Sequence, residues 1–386
     1  MRFPEFTGEW KEMELNQCCD RLEYGMNTAA TEYDGVNKYI RITDIDENTS
    51  QYSPNDIVSP LGILEDKYLV KANDILFART GASTGKTYHY QESDGKLYFA
   101  GFLIRAKISY RYNSKFIFYQ TQTYQYKKWI GIMSARSGQP GINSQEYGIL
   151  PIAITSNEEQ DKIARFLSLI DERIVTQNKI IAHLESLIKG LYSTTSKIGW
   201  RNYLLSELMI ERKELNTSLF PVYSVSVDVG LVDQIEHLGR SFAAKDTSNY
   251  NVVRLGDVVY TKSPTGSFPF GIVKQSLVNV AVAVSPLYGV YQPKSIHIGR
   301  IIQHYFASPI RTSNYLHSLI QKGAKNTINI STQHFLDKAI LLPSREDEII
   351  CLSKLLDSYN SKCELEKALR EHLLSQKTYL LQKMFI

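Results

Sequence analysis

The chain has 386 residues, 43% of them hydrophobic and 22% charged, with a formal net charge of +4. That is enough length for two or more domains, and the composition excludes a collagen-like, low-complexity or disulfide-scaffold protein. No apolar run approaches the ~20 residues of a membrane span, and Cys18, Cys19, Cys351 and Cys363 form no C-x-x-C pair, so reduced thiols in a cytoplasmic protein are expected.

In chain order, Trp10 opens a first half. "RITDIDE" places Asp44 and Asp46 near a turn without the lysine that a metal-dependent nuclease site would add, so they read as loop caps. Next comes "NDILFARTGASTGKT" (73–87), a short apolar strand and a turn that resembles a phosphate-binding loop. The P-loop requires G-x-x-x-x-G-K-[ST], and position 80, where its first glycine would stand, is Thr80. Residues 96–145 contain no Asp or Glu but eight Lys and Arg among many aromatics, including the loop "SARSGQPG". After "GINSQEYGILPIAI" (141–154) a polar start at Ser156 and Asn157, followed by Glu158, Glu159 and Asp161, predicts a helix N-terminus.

That helix is expected over about 157–193. Ile163, Ile170, Leu184 and Leu191 recur in sevens. Phe166, Ile180 and Leu187 make a second row, and Leu167, Ile174, Ile181 and Ile188 a third, with Arg173 and Gln177 interrupting the seam.

The second half repeats the first. Trp200 stands where Trp10 stood, "GDVVYTKSP" (256–264) aligns with "NDILFARTG" (73–81), and "TINISTQHFLDKAILL" (327–342) parallels 141–154. Residues 258–336 again lack Asp and Glu, and a second long helix from about 344 carries Ile349, Leu352, Leu355, Leu356, Tyr359, Cys363, Leu369, Leu373 and Leu380. The repeat of "ARTGASTGKT" loses the G-K-T, which argues against a nucleotide site and for a strand-turn suited to phosphate or base-edge contact.

The expected fold is α+β. Two α/β domains (1–155 and 196–343) are each followed by a long helix (156–195 and 344–386), and the helices pair through Ile163, Ile170, Leu184, Leu352, Leu356 and Leu373. Candidate DNA contacts in the first domain are Arg79, Thr80, Ser83 and Lys86 with Arg136, Ser137 and Gln139. In the second they are Lys262, Ser263 and Thr265 with Lys322, Lys325 and Asn326. No catalytic or metal-binding residues are expected.

"RFPEFTGEW", the paired strand-turns, "EEQDKIARFLSLIDERI" and its echo "EDEIICLSKLLDSYN" resemble the specificity subunit of type I restriction–modification enzymes along nearly the whole chain. The second half departs from the pattern, with "RED" in place of "EEQ" and Pro264 in place of the glycine. The resemblance implies that both α/β domains are target-recognition domains, that the two long helices pair as an antiparallel coiled coil, and that the chain is non-catalytic and reads a split, asymmetric site on double-stranded DNA. It also implies helices that act as a spacer and dock two methyltransferase subunits, with restriction–translocase subunits joining. S-adenosylmethionine, ATP and Mg²⁺ would belong to those partners, with no cofactor on this chain. A stand-alone DNA-binding protein and, on "GASTGKT" alone, an NTP-using enzyme are the alternatives.

Overall fold

A computed structural model describes residues 1–135, 139–194, 199–234, 246–317, 319, 321–322 and 328–385. The chain forms two compact units, Met1–Asn178 with Ala368–Ile386, and Lys179–Lys367. Each unit therefore takes part of both long helices.

In the first unit four antiparallel strands form a sheet in the order Cys19–Tyr24, Leu103–Ile108, Asp74–Ala78, Thr87–His89. All five residues of Asp74–Ala78 are buried. Strand alternation sends Ile75 and Phe77 into one apolar cluster and Leu76 and Ala78 into another, so the sheet is covered on both faces. Asp74 starts the strand as a buried carboxylate. It accepts from the Lys71 N–H at 2.9 Å and faces Arg105, yet burial still pushes its pKa up.

The second unit repeats this plan. Its sheet runs Met209–Glu211, Gly289–Pro293, Val258–Tyr260, Val273–Gln275, again antiparallel throughout. Val258 and Tyr260 enter one cluster and Val259 the other. Asp257 takes the place of Asp74, held by Arg212 at 2.6 and 3.0 Å and by the Arg254 N–H at 2.8 Å.

Each half also closes on itself. The strand Lys11–Glu14 pairs antiparallel with Pro151–Ile154, and Trp200–Leu204 pairs with Ala339–Pro343. The second strand of each pair leads into a long helix, Asn157–Thr194 or Glu346–Met384. Ser156 caps the first helix, accepting the Glu159 N–H at 3.3 Å, and Glu159 forms a two-pronged pair with Arg2 at 2.6 Å.

The two helices pair antiparallel. In the first unit Lys377 meets Asp171 at 2.7 Å, and Leu373, Leu380 and Leu381 share an apolar cluster with Ile163, Leu167, Ile170 and Ile174. In the second unit Lys367 meets Glu185 at 3.3 Å, and Cys363 packs with Ile181 and Leu184. Leu352 and Leu356 are buried in the second globular core, against which Ile188 and Leu191 also pack.

The buried face is narrower than three apolar rows. Ile180 and Leu187 are exposed, as are Leu355 and Leu369 on the second helix. Arg173 is exposed and outside the seam, while Gln177 is buried within it. A two-helix contact with one flanking domain covers two adjacent rows, and the third turns outward.

Candidate nucleic-acid interface

The turn after Asp74–Ala78 does not form a phosphate cradle. Its backbone N–H groups are spent internally: Gly81 on Pro140 O at 2.9 Å, Thr84 on Gly81 O at 3.0 Å, Gly85 on Ala78 O at 3.0 Å and Lys86 on Ser83 O at 3.0 Å. A strand, Thr87–His89, follows where a P-loop would start a helix. Gly85 lies at φ 91°, and a Cβ there would sit 2.7 Å from Ile130, so the turn is tightly seated.

The fold brings two separate candidate segments together. Thr80 bridges to Gly141, and Arg79 O accepts the Ile142 N–H at 2.9 Å. Gln139 thereby stands beside Gly81, joining Arg79, Thr80 and Ser83 in one patch. Tyr147 ties the base of the patch down, its hydroxyl donating to Ala78 O at 2.8 Å.

Arg79 is held firmly. Its Nε donates to Gly101 O at 3.1 Å, and its guanidinium lies 5.0 Å from the Tyr24 ring centroid and 6.0 Å from that of Phe102. Both rings are exposed. They border a cavity of about 560 Å³ that also includes Asn27, Arg41 and Thr43. Tyr24 and Phe102 were not among the sequence candidates. The available signal was an aromatic at a strand end and another directly after Gly101.

Lys86 points the other way. Its Nζ lies 3.5 Å from Ile45 O and 3.9 Å from Glu47, within a cavity of about 370 Å³ that it shares with Lys127 and Lys377. Asp44 and Asp46 organise the neighbouring loop: Asp44 pairs with Arg41 at 2.8 Å, and Asp46 accepts the Thr49 N–H at 2.8 Å. The basic stretch is also partly neutralised. Arg105 is buried between Glu23 and Asp74, and Lys107 stands 3.7 Å from Asp20.

In the second unit Lys262 occupies the position of Arg79 with φ 54°, a left-handed conformation, and partial burial lowers its pKa. Ser263 and Thr265 lie on a tight turn closed by Thr265 and Phe268, with the Thr265 hydroxyl donating to Ser263 O at 3.1 Å. Lys322 lies on the short strand Gln321–Lys322. Its side chain, together with Arg136, Ser137, Lys325 and Asn326, lies outside the described residues. Among the described residues no group of three His, Cys, Asp or Glu could hold a metal ion, and no helix is long and apolar enough to cross a membrane.

A twice-written sheet, each copy ending in a strand-turn of basic and hydroxyl side chains, defines an internally duplicated protein. Residues 7–186 match the type I restriction modification DNA specificity domain. That match spans 180 of the 386 residues and lies within the first half of the chain. Its fold is similar to the crystal structure of a type I restriction–modification system S subunit from M. genitalium, with TM-score 0.64 and 15% identity over 98% of this chain and 96% of that one. It also aligns with the HsdS subunit from Thermoanaerobacter tengcongensis (TM-score 0.40, 13% identity, 97% of this chain and 96% of that one). A third alignment is with a chain from a study of complex assembly and conformational transition of the type I R-M system (TM-score 0.48, 14% identity, 96% of each chain).

Proposed function

We propose that the two halves divide the recognition of DNA, each reading one part of a bipartite, asymmetric duplex site. The observation that carries this reading is the duplication: the same four-stranded sheet order occurs twice in one chain, with a basic residue and a hydroxyl at the same strand end. The basic side chains supply sequence-independent attraction to phosphate, and contacts at base edges supply the specificity.

In this reading the chain is a non-catalytic subunit. Two methyltransferase subunits dock on the long helices, where Leu169, Ile180, Leu187, Leu355, Leu365 and Leu369 expose apolar surface. Restriction–translocase subunits complete the assembly, and S-adenosylmethionine, ATP and Mg²⁺ are used by these partners.

The test maps adenine methylation across the source genome with and without this chain. A split motif that disappears on deletion is the expected result. Unchanged methylation, with the methyltransferase subunits expressed, would overturn the proposal.

A further inference from the structure

We infer that Arg79 is a specificity-determining residue that reads a guanine through a two-pronged contact in the half-site bound by the first domain. The inference rests on the proposed reading of DNA and adds a residue and a base to it.

An arginine that discriminates between bases must present both Nη groups in one plane with little freedom to turn. Arg79 meets that requirement. Its Nε is committed to Gly101 O, and two rings, Tyr24 at a strand end and Phe102 in the turn before the next strand, flank the guanidinium. Cation–ring contacts of this kind, together with the Nε hydrogen bond, restrain the guanidinium and leave its Nη edge free. Neither Nη group has a partner among the described residues. This contrasts with Arg41 across the same cavity, whose Nε and Nη2 are both bound to Asp44 at 2.8 Å. It contrasts also with Arg105, which is enclosed by acids.

The backbone around Arg79 is equally constrained. Its N–H donates to Phe102 O at 3.1 Å and its carbonyl accepts from Ile142. The Gly101 turn that accepts from Arg79 is itself packed closely on the Met26 backbone, since a Cβ at Gly101 would lie 3.1 Å from Met26 O. A planar fork with two free donors side by side matches O6 and N7 of guanine, which are adjacent acceptors in the major groove. Adenine offers a donor at the first of these positions and repels the fork.

The second domain carries Lys262 at this position. A single ammonium lacks the fork geometry. The two halves therefore differ in chemistry at equivalent points, as an asymmetric site requires.

The experiment selects binders from a randomised duplex library, using the full-length chain with the methyltransferase subunits that accompany it. The wild-type protein is compared with Arg79→Lys and Arg79→Ala. The expected result is a split motif for the wild type and, for both variants, loss of preference at one guanine of one half-site, with the other half-site retained as proof of folding. Binding to the guanine-containing duplex should fall by about 5- to 150-fold. Replacing that guanine with 7-deazaguanine, which lacks N7, should weaken the wild type and leave Arg79→Ala unaffected.

A split motif that both variants keep in full would overturn the role of Arg79 and leave the DNA reading standing. Loss of a base other than guanine, or indifference of the wild type to 7-deazaguanine at every guanine of the motif, would do the same. Selection of no motif by the wild type would overturn both.

Discussion

Replacing Lys377 with methionine removes a charge from the buried contact between the two long helices and keeps most of the side-chain volume. Lys377 is 7% exposed, its Nζ lies 2.7 Å from Asp171 Oδ1, and the Tyr119 hydroxyl donates to the other oxygen of Asp171 at 2.8 Å. One lysine thus links the second helix both to the first helix and to the globular core. Breaking a fully buried pair costs about 3–5 kcal/mol. Asp171 keeps 25% of its side chain in water, which lets solvent take over part of the lost interaction, so a loss of about 2–3 kcal/mol is expected. For a unit of this size that corresponds to a fall in Tm of roughly 5–10 °C. The assay is thermal unfolding of Lys377→Met, Asp171→Asn and the double variant. The double variant should be less destabilised than the two single losses added together, by about 1.5–2.5 kcal/mol. A coupling below about 0.5 kcal/mol would refute the reasoning and reduce the contact to a surface pair.

Three further outcomes are expected. His89 is buried, with Nε2 2.9 Å from Ser114 Oγ, and burial together with Lys115 pushes its pKa from 6.5 down to about 4. The folded chain therefore resists a proton that the unfolded chain accepts, so His89 costs no stability above pH 6.5 and removes about 3 kcal/mol as the pH falls to 4. His89→Gln should flatten that part of the stability–pH curve, and an unchanged slope would refute the assignment. Phe335→Ala should destabilise the second unit by about 3–5 kcal/mol in denaturant titration, because Phe335 is fully buried with its ring stacked 4.7 Å from Tyr260. Alkylation at pH 8 followed by mass spectrometry should label exposed Cys351 first. Cys18 and Cys19, whose thiols burial pushes up to about 12 and about 11, should react only after unfolding.

The long helices and the duplication are legible in the sequence because both are local patterns. Heptad spacing and acids at an N-terminus need no knowledge of distant partners, and a repeated strand-turn is visible by alignment. The side that each apolar row faces is not local. Ile180 and Leu184 differ little in chemistry, yet one is exposed and the other buried, because what covers a helix face is decided by elements far along the chain. The same reason hides part of the recognition surface. Arg79 and Lys86 lie seven positions apart on one turn, but the first lies near the rings of Tyr24 and Phe102 and the second turns toward Ile45 and Glu47. Charge counting likewise overstates the basic stretch, since Arg105 finds Glu23 and Asp74 outside it.

The strand that opens each half lies beside the strand that ends it. A segment whose two ends are neighbours can be excised and replaced by another with the same ends, without altering the path of the chain on either side. Each half is therefore a cassette with fixed joints at residues 11–14 with 151–154 and at 200–204 with 339–343. Recombination at these joints, in nature or at the bench, would exchange one reader and keep the other. A small stock of halves would then yield many pairwise combinations, and a new target would require no new scaffold.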